Sequence, residues 1–324
     1  MRGGAEQAME GLVDALERAG HRAELVRMPT AWDAGRIFDA ALAWRLVPVD
    51  ADLVIATNFP SYFVRHPRKV VWLFHQHRGA YDAADAAWSD LGLDDDSLET
   101  QRLLAMWDTT ALEEATRLFA LSGVVADRLA RFNGLVAEPL YPPPPLHERL
   151  VPGEPGDTVL TVTRLERNKR PGLLVEAMAE VQRPVRAAVA GKGSAAGDLA
   201  ATVERLGVGG RVDLLGFVDD DELVRRLAGA LAVVYAPVDE DYGFVTLQAF
   251  LAGVPVITAA DSGGVLEWVE HEVTGLVTDG SPGGVAAAID RLAADRELAH
   301  KLGGAGRERA TALGWDDVVA RLTT

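Results

Sequence analysis

Three observations predict a chain of two α/β domains. At 324 residues it is longer than one open α/β domain usually needs. Short β-branched runs alternate with helix-length segments in both halves, the pattern of parallel sheets with crossover helices. Between the halves stand four consecutive prolines, Pro142–Pro145, which can join neither sheet nor helix and stiffen a connection. The expected boundaries are a first domain at 1–141, a hinge at 142–157 and a second domain at 158–324.

In the first half, Ala8, Leu12, Ala15, Leu16 and Ala19 form one helical stripe that Gly20 closes. AELVRM (23–28), ADLVIAT (51–57), KVVWLFH (69–75) and RLFAL (117–121) read as strands. A helix is expected over Ser97–Ala115, and a second over Ser122–Phe132 with Ser122 as its N-cap. In the second half DTVLTVTRLERNKRP (157–171) is expected to be a strand running into a loop, and further strands are expected at 185–190, 212–218, 231–237 and 254–258. A helix opens at Gly243 and ends near Gly253, and others cover about 282–294 and 296–312.

Composition narrows the function. Lys plus Arg number 32 against 48 Asp plus Glu, a net charge of −16, and no basic tract is present, which argues against nucleic-acid binding. There are no cysteines, hence neither disulfides nor thiolate metal sites. No apolar run approaches the roughly 18–20 residues needed to span a bilayer, and the first residues show no apolar signal stretch. The expected location is cytoplasmic, with peripheral contact at the inner membrane face compatible with it.

Against that acidic background, Arg164, Arg167, Lys169 and Arg170 place four cations within seven residues at a strand end. Arg can fork across two phosphate oxygens and Lys adds a compact point charge, so a diphosphate is the expected ligand. Farther on, a strand, an acidic loop with Asp239, Glu240 and Asp241, and a helix N-terminus form the usual binding edge of a parallel sheet. The N–H groups of Gly243, Phe244 and Val245 could hold sugar hydroxyls or phosphate oxygens, with Glu240 a fixed anion in the same mouth. Gly191-Lys192-Gly193 is a tight turn of the kind many βα connections select. Phe217 reads equally as a ligand flank or as core filler.

His75, Gln76 and His77 sit where a strand ends. Alternation puts both histidines on one face; His75, directly at the end, is preferred, and His77 with Arg78 would then meet an acceptor. Tyr62 and Phe63 could stack on an acceptor or anchor their loop to the core, the latter being favoured. The acidic, Ala-rich stretch Tyr81–Asp96, with Trp88, reads as a mobile or acceptor-facing insertion. Asp219-Asp220-Asp221 is expected to cap a helix rather than clamp a metal.

These motifs, in this order, resemble the retaining glycosyltransferases of family 4, which have the GT-B fold of two facing Rossmann-like domains. The resemblance runs over nearly the whole chain. It implies donor-phosphate roles for Arg164 and Lys169, and a donor-sugar contact for His75. Nucleotide loops are implied at Gly191 and Gly193, base contacts at Phe217 and Val218, and a sugar and phosphate turn at Gly263-Gly264. It also implies a last helix, GWDDVVARL with Trp315, that packs back on the first domain. Gly3-Gly4 matches a glycine-rich turn that follows a first β-strand in the family; no strand precedes it here, so a first strand absent from the N-terminal domain, in a chain naturally longer or trimmed there, is the expectation. The family carries two glutamates eight positions apart. Here the first is Glu240, but the second position holds Gln248, where the family's carboxylate binds the nucleotide ribose; Gln248→Glu is therefore expected to tighten nucleotide binding.

The implied activity is transfer of a sugar from a nucleoside-diphosphate sugar to a hydroxyl acceptor, a glycan, lipid-linked saccharide or small metabolite. No cofactor is expected. Catalysis would be electrostatic, Arg164, Lys169 and helix N-termini stabilising the departing diphosphate without a metal. The alternatives are a binding protein of the same fold with little turnover, and a sugar-nucleotide epimerase, for which no acid/base pair can be placed.

Overall fold

The computed structural model describes residues 3–29, 36–86, 89 and 91–324. The chain divides into a larger unit, Met1–Ala8 with Pro143–Gly314, and a smaller one, Met9–Pro142 with Trp315–Thr324. Each unit holds one sheet in which every strand pair is parallel.

In the larger unit the strands are β5 (Thr158–Val162), β6 (Arg186–Ala190), β7 (Val212–Gly216), β8 (Ala230–Val234), β9 (Val256–Ala259) and β10 (Gly275–Thr278). Their order is β10-β9-β8-β5-β6-β7. β8 and β9 are buried at every residue, because helices cover both faces of a parallel sheet. After β5 the chain moves to one side through β6 and β7; β8 returns to the other side of β5. The loops leaving β5 and β8 therefore diverge, and the crevice between them is the topological switch point at which open α/β sheets bind ligands.

Helix α8 (Phe244–Leu251) begins beside that crevice. Its position is fixed by α10 (Arg296–Thr311), which approaches it through glycines. A Cβ on Gly303 would lie 2.0 Å from the Gly253 carbonyl oxygen, and one on Gly306 would lie 2.4 Å from the Phe250 ring. Backbone cannot retreat as a side chain can. Gly303→Val is accordingly expected to destabilise this unit by about 1–3 kcal/mol; an unchanged melting temperature would contradict this packing.

The smaller unit carries β1 (Val54–Asn58), β2 (Lys69–His75), β3 (Arg117–Ala120) and β4 (Glu138–Pro139), in that order. β2 runs between β1 and β3 and is buried except at His75. Helices α3 (Asp95–Glu113) and α4 (Gly123–Asn133) pack beside it, and Ser122 caps α4 by accepting from the Val125 N–H. Helix α11 (Trp315–Thr323) lies in this unit. Trp315 meets Trp72 edge-on with ring centroids 6.4 Å apart, and Arg321 lies over the Phe119 ring.

The strand expected at 23–28 does not form. Residues 21–29 adopt no regular element, and Val26 is exposed. A strand exists through its ladder, and no described strand pairs with this segment; Arg27 instead donates to Glu10 of α1 (Gly4–Arg18) at 2.7 Å. Tyr62 and Phe63 are buried and anchor their loop, in line with the favoured expectation. Trp88 lies outside the described residues.

One buried group in this unit left no trace in the sequence pattern. Asp108 of α3 is fully buried, accepting from the Tyr81 hydroxyl at 2.6 Å, with its other oxygen lacking a hydrogen bond among the described residues. Burial pushes its carboxyl up to about 7, against the opposing effect of the Tyr81 hydrogen bond.

Candidate active site

The crevice of the larger unit is built from four loops, and each has a sequence reason for its shape. The loop after β5 carries Arg164, exposed at its start, then one 3-10 turn, Arg167–Lys169. It ends at Arg170, which adopts a left-handed conformation (φ 44°). Gly191 and Gly193, after β6, lie against it: a Cβ on Gly191 would sit 1.8 Å from the Thr163 carbonyl oxygen, and one on Gly193 2.4 Å from that of Leu165. Only glycine allows this approach. Ser194 completes the contact, its N–H and hydroxyl donating to Glu166 at 3.2 and 2.5 Å, which holds the Glu166 carboxyl below its usual range.

The loop after β8 brings Glu240 to the same place. Its backbone is pinned by a bridge to Gly263 and by the Gly264 N–H, which donates to the Glu240 carbonyl at 2.7 Å. A Cβ on Gly263 would lie 2.6 Å from that carbonyl oxygen, so the glycine pair is required by close backbone contact. Val238 N–H donates to the Asn168 carbonyl at 2.8 Å, tying the acidic loop to the cationic one.

The result is an ion pair between two residues singled out independently in the sequence: Lys169 Nζ donates to Glu240 Oε2, with the side chains only 12% and 16% exposed. Arg170, the last cation of the cluster, forks onto Asp261, which its guanidinium holds below the usual carboxylate range. Arg164 has no carboxylate partner of this kind among the described residues. Beneath Glu240 lies Tyr235, at the end of β8, whose phenol is pushed well above its usual range by burial and by the Glu240 charge beside it.

Gly243, in the left-handed region (φ 85°), is the N-cap of α8. Phe244 and Val245 open the helix half-buried, and first-turn amides such as theirs have no intrahelical acceptor. Gly4, the first residue of α1, closes on this point: a Cβ there would meet the Phe244 ring at 2.5 Å, whereas one on Gly3 would meet only the flexible Glu6 carboxyl. At the end of β7, Phe217 is 53% exposed, which excludes the core-filler reading; Val218 is half-buried, and Lys192 Nζ lies 5.4 Å from the Phe217 ring centroid. Asp219 accepts from the Glu222 N–H at 2.8 Å and caps α7 (Asp220–Ala228), as expected of that acidic run.

Gln248 has a physical account. It is 6% exposed, and its Nε2 donates to the Pro145 carbonyl at 3.1 Å. An ionised glutamate has no donor to offer that carbonyl. The sequence expectation that Gln248→Glu would tighten nucleotide binding is therefore replaced. The substitution is expected to destabilise the unit by about 1–3 kcal/mol, because it leaves a half-buried carbonyl facing a buried carboxylate, read as a lower melting temperature at neutral pH.

His75 belongs to the smaller unit. It stands half-buried at the end of β2, with its Nδ1 3.1 Å from the Gln76 carbonyl oxygen, while His77 is buried with its ring 5.6 Å from that of Phe59. Of the two, His75 is the more accessible. Among the described residues no group of three or more His, Asp or Glu side chains could hold a metal ion.

The family model described as "Glycosyl transferases group 1" matches residues 145–309, just over half of the chain and the stretch that contains the crevice. The chain belongs to this family. A GDP-mannose-dependent alpha-(1-6)-phosphatidylinositol monomannoside mannosyltransferase of Mycobacterium tuberculosis is 40% identical to this group 1 chain over 179 residues, 51% of the chain and 46% of that protein. A D-inositol 3-phosphate glycosyltransferase of Xylanimonas cellulosilytica is 30% identical over 226 residues, 65% of the chain and 54% of that protein. The chain thus spans about half the length of the curated relatives it matches. Among solved structures, sucrose-phosphate synthase from Thermosynechococcus elongatus superposes with a TM-score of 0.79 at 22% identity, covering 98% of this chain and 92% of that one. Anabaena Alr3699/HepE in complex with UDP and glucose gives 0.71 at 19% identity, over 98% and 94%. The group 1 chain shares their fold, GT-B, with two parallel-sheet α/β units.

Proposed function

We propose that this protein is a retaining glycosyltransferase of family 4, moving a sugar from a nucleoside-diphosphate sugar to a hydroxyl acceptor in glycan, glycolipid or glycosylated-metabolite synthesis. The observation that carries the reading is the meeting of the Arg164/Lys169 loop and the Glu240 loop at the switch point of the six-stranded sheet. Cations there would hold the diphosphate and stabilise the charge that develops as it leaves, and the first-turn amides of α8 would add to that field. The exposed Phe217 ring offers the base an apolar flank, while Gly191 and Gly193 let the nucleotide approach backbone. Glu240, once in reach of the sugar, would accept from its hydroxyls. Retention of configuration and family 4 membership follow the motif resemblance. No cofactor enters this account, and the positive charge supplied by Arg164 and Lys169 makes a metal step unnecessary.

The likeness to a GDP-mannose-dependent enzyme across 179 residues makes GDP-mannose the first donor to test. A screen of GDP-mannose, UDP-glucose and related sugar nucleotides for hydrolysis, with and without chelator, is expected to single out one donor whose turnover chelation leaves intact. Binding of a sugar nucleotide with no hydrolysis or transfer to any acceptor would favour a binding protein instead.

A further inference from the structure

The Lys169–Glu240 pair poses a problem for the proposed donor site, and its resolution deepens that proposal. Lys169 is one of the two cations assigned to the diphosphate, yet its ammonium is already neutralised by a carboxylate within a largely desolvated site. An anionic ligand cannot use that charge fully while the carboxylate stays. The loop cannot withdraw as a body, because the Glu240 backbone is bridged to Gly263 and its carbonyl accepts from Gly264. The side chain, paired with Lys169 and beside the Tyr235 hydroxyl, can move by rotation about its own bonds.

We infer that Glu240 is a placeholder anion: in the free protein its carboxylate occupies the position that the donor's diphosphate takes on Lys169, and ligand binding exchanges one anion for the other. A diphosphate carries more charge than a carboxylate and spreads it over several acceptor oxygens, so it prevails once bound; Arg164, which is exposed and forms no ion pair among the described residues, provides the second contact. The exchange releases the Glu240 carboxylate at the mouth of the crevice only when a diphosphate is present. Glu240 then becomes available to a sugar hydroxyl, and in the empty site neither Lys169 nor Glu240 stands as an isolated buried charge, a state that is strongly unfavourable. Arg170–Asp261 is the contrasting case: a forked and more exposed clamp that ties two loops.

The inference rests on the proposed donor site and makes a prediction of opposite sign to a simple supporting role. Glu240→Gln and Glu240→Ala should each bind GDP or UDP about 5- to 10-fold more tightly than the wild-type protein, since the competing carboxylate is gone, a gain of the size of a partly exposed ion pair. In a Lys169→Gln background, which lacks the contested ammonium, Glu240→Gln should gain less than about 2-fold. Calorimetric titration of the four proteins in this cycle, each checked for an unchanged fold by its melting curve, decides the matter. Tightening of equal size in both backgrounds would mean general charge repulsion and overturn the exchange, as would weaker or unchanged binding by both Glu240 variants. If wild-type and Lys169→Gln bind GDP and UDP alike, the donor-site reading itself fails, and the exchange with it.

Discussion

Lys169→Ala and Arg164→Ala are each expected to lower turnover of the sugar nucleotide by about 30- to 1000-fold. The figure corresponds to roughly 2–4 kcal/mol for removing a charged donor aimed at developing negative charge. The two losses should differ in character. Arg164 is exposed and forms no ion pair among the described residues, its charge only helping to hold the Glu166 carboxyl low, so its removal should act mainly on ligand and transition state. Lys169 is paired, and its truncation leaves Glu240 without a counter-charge beside the Tyr235 phenol. Lys169→Ala should therefore also lower the melting temperature of the free protein, whereas Arg164→Ala should leave it nearly unchanged. Wild-type turnover by either variant would contradict the assignment.

The second large effect concerns stability rather than chemistry. Asp108 is buried with a carboxyl raised to about 7, mainly by desolvation. The folded state thus holds the proton more tightly than the unfolded chain does. The stability this contributes is fully present below the ordinary carboxylate range, and is lost as pH rises from there through about 7. A tenfold difference in proton affinity is worth about 1.4 kcal/mol, so a rise from 3.8 to about 7 corresponds to roughly 4 kcal/mol. Asp108→Asn keeps an acceptor for Tyr81 and cannot ionise. It should melt higher than wild type at pH 8, with the difference shrinking toward pH 5. Carboxylates held low by arginines, among them Asp261 and Glu114, lose their contribution in acid and pull the other way. The comparison is therefore between the two proteins at each pH, not along one curve. A variant no more stable than wild type at pH 8 would contradict the buried-carboxyl assignment.

Much of the scaffold is legible from periodicity and punctuation. KVVWLFH is a strand over the predicted span, Ser122 caps α4, and Asp219 caps α7, because strand composition and caps are local properties. AELVRM failed for the complementary reason: its short apolar run around Leu25 and Val26 reads as strand, but a ladder partner is not a property of the segment. At the candidate site, the residue types and their loops were readable, since a cation cluster in an acidic chain and glycines at strand ends are visible in one dimension. Their pairings were not. Lys169 meets Glu240 across 71 residues, Arg170 meets Asp261 across 91, and the Gln248 amide finds Pro145 across 103. Nor does sequence show that Lys69 is fully buried, donating to the Tyr62 and Ala111 carbonyls at 3.0 and 2.7 Å and to Glu114. Its side chain reads as an ordinary strand-start lysine. Tyr235 could have been noticed, as a polar-tipped aromatic closing an otherwise apolar strand next to the acidic loop.

The central claim is that the switch-point crevice of the larger unit holds a nucleoside diphosphate. Hydrogen exchange of the backbone amides, with and without saturating GDP or UDP, tests it most directly, because it locates the ligand without requiring turnover. Slowed exchange is expected in four segments: 164–170, 191–194, 240–246 and 263–265. Lys169→Ala should diminish that protection at the same ligand concentration. No change in these segments, or protection confined to the smaller unit, would contradict it.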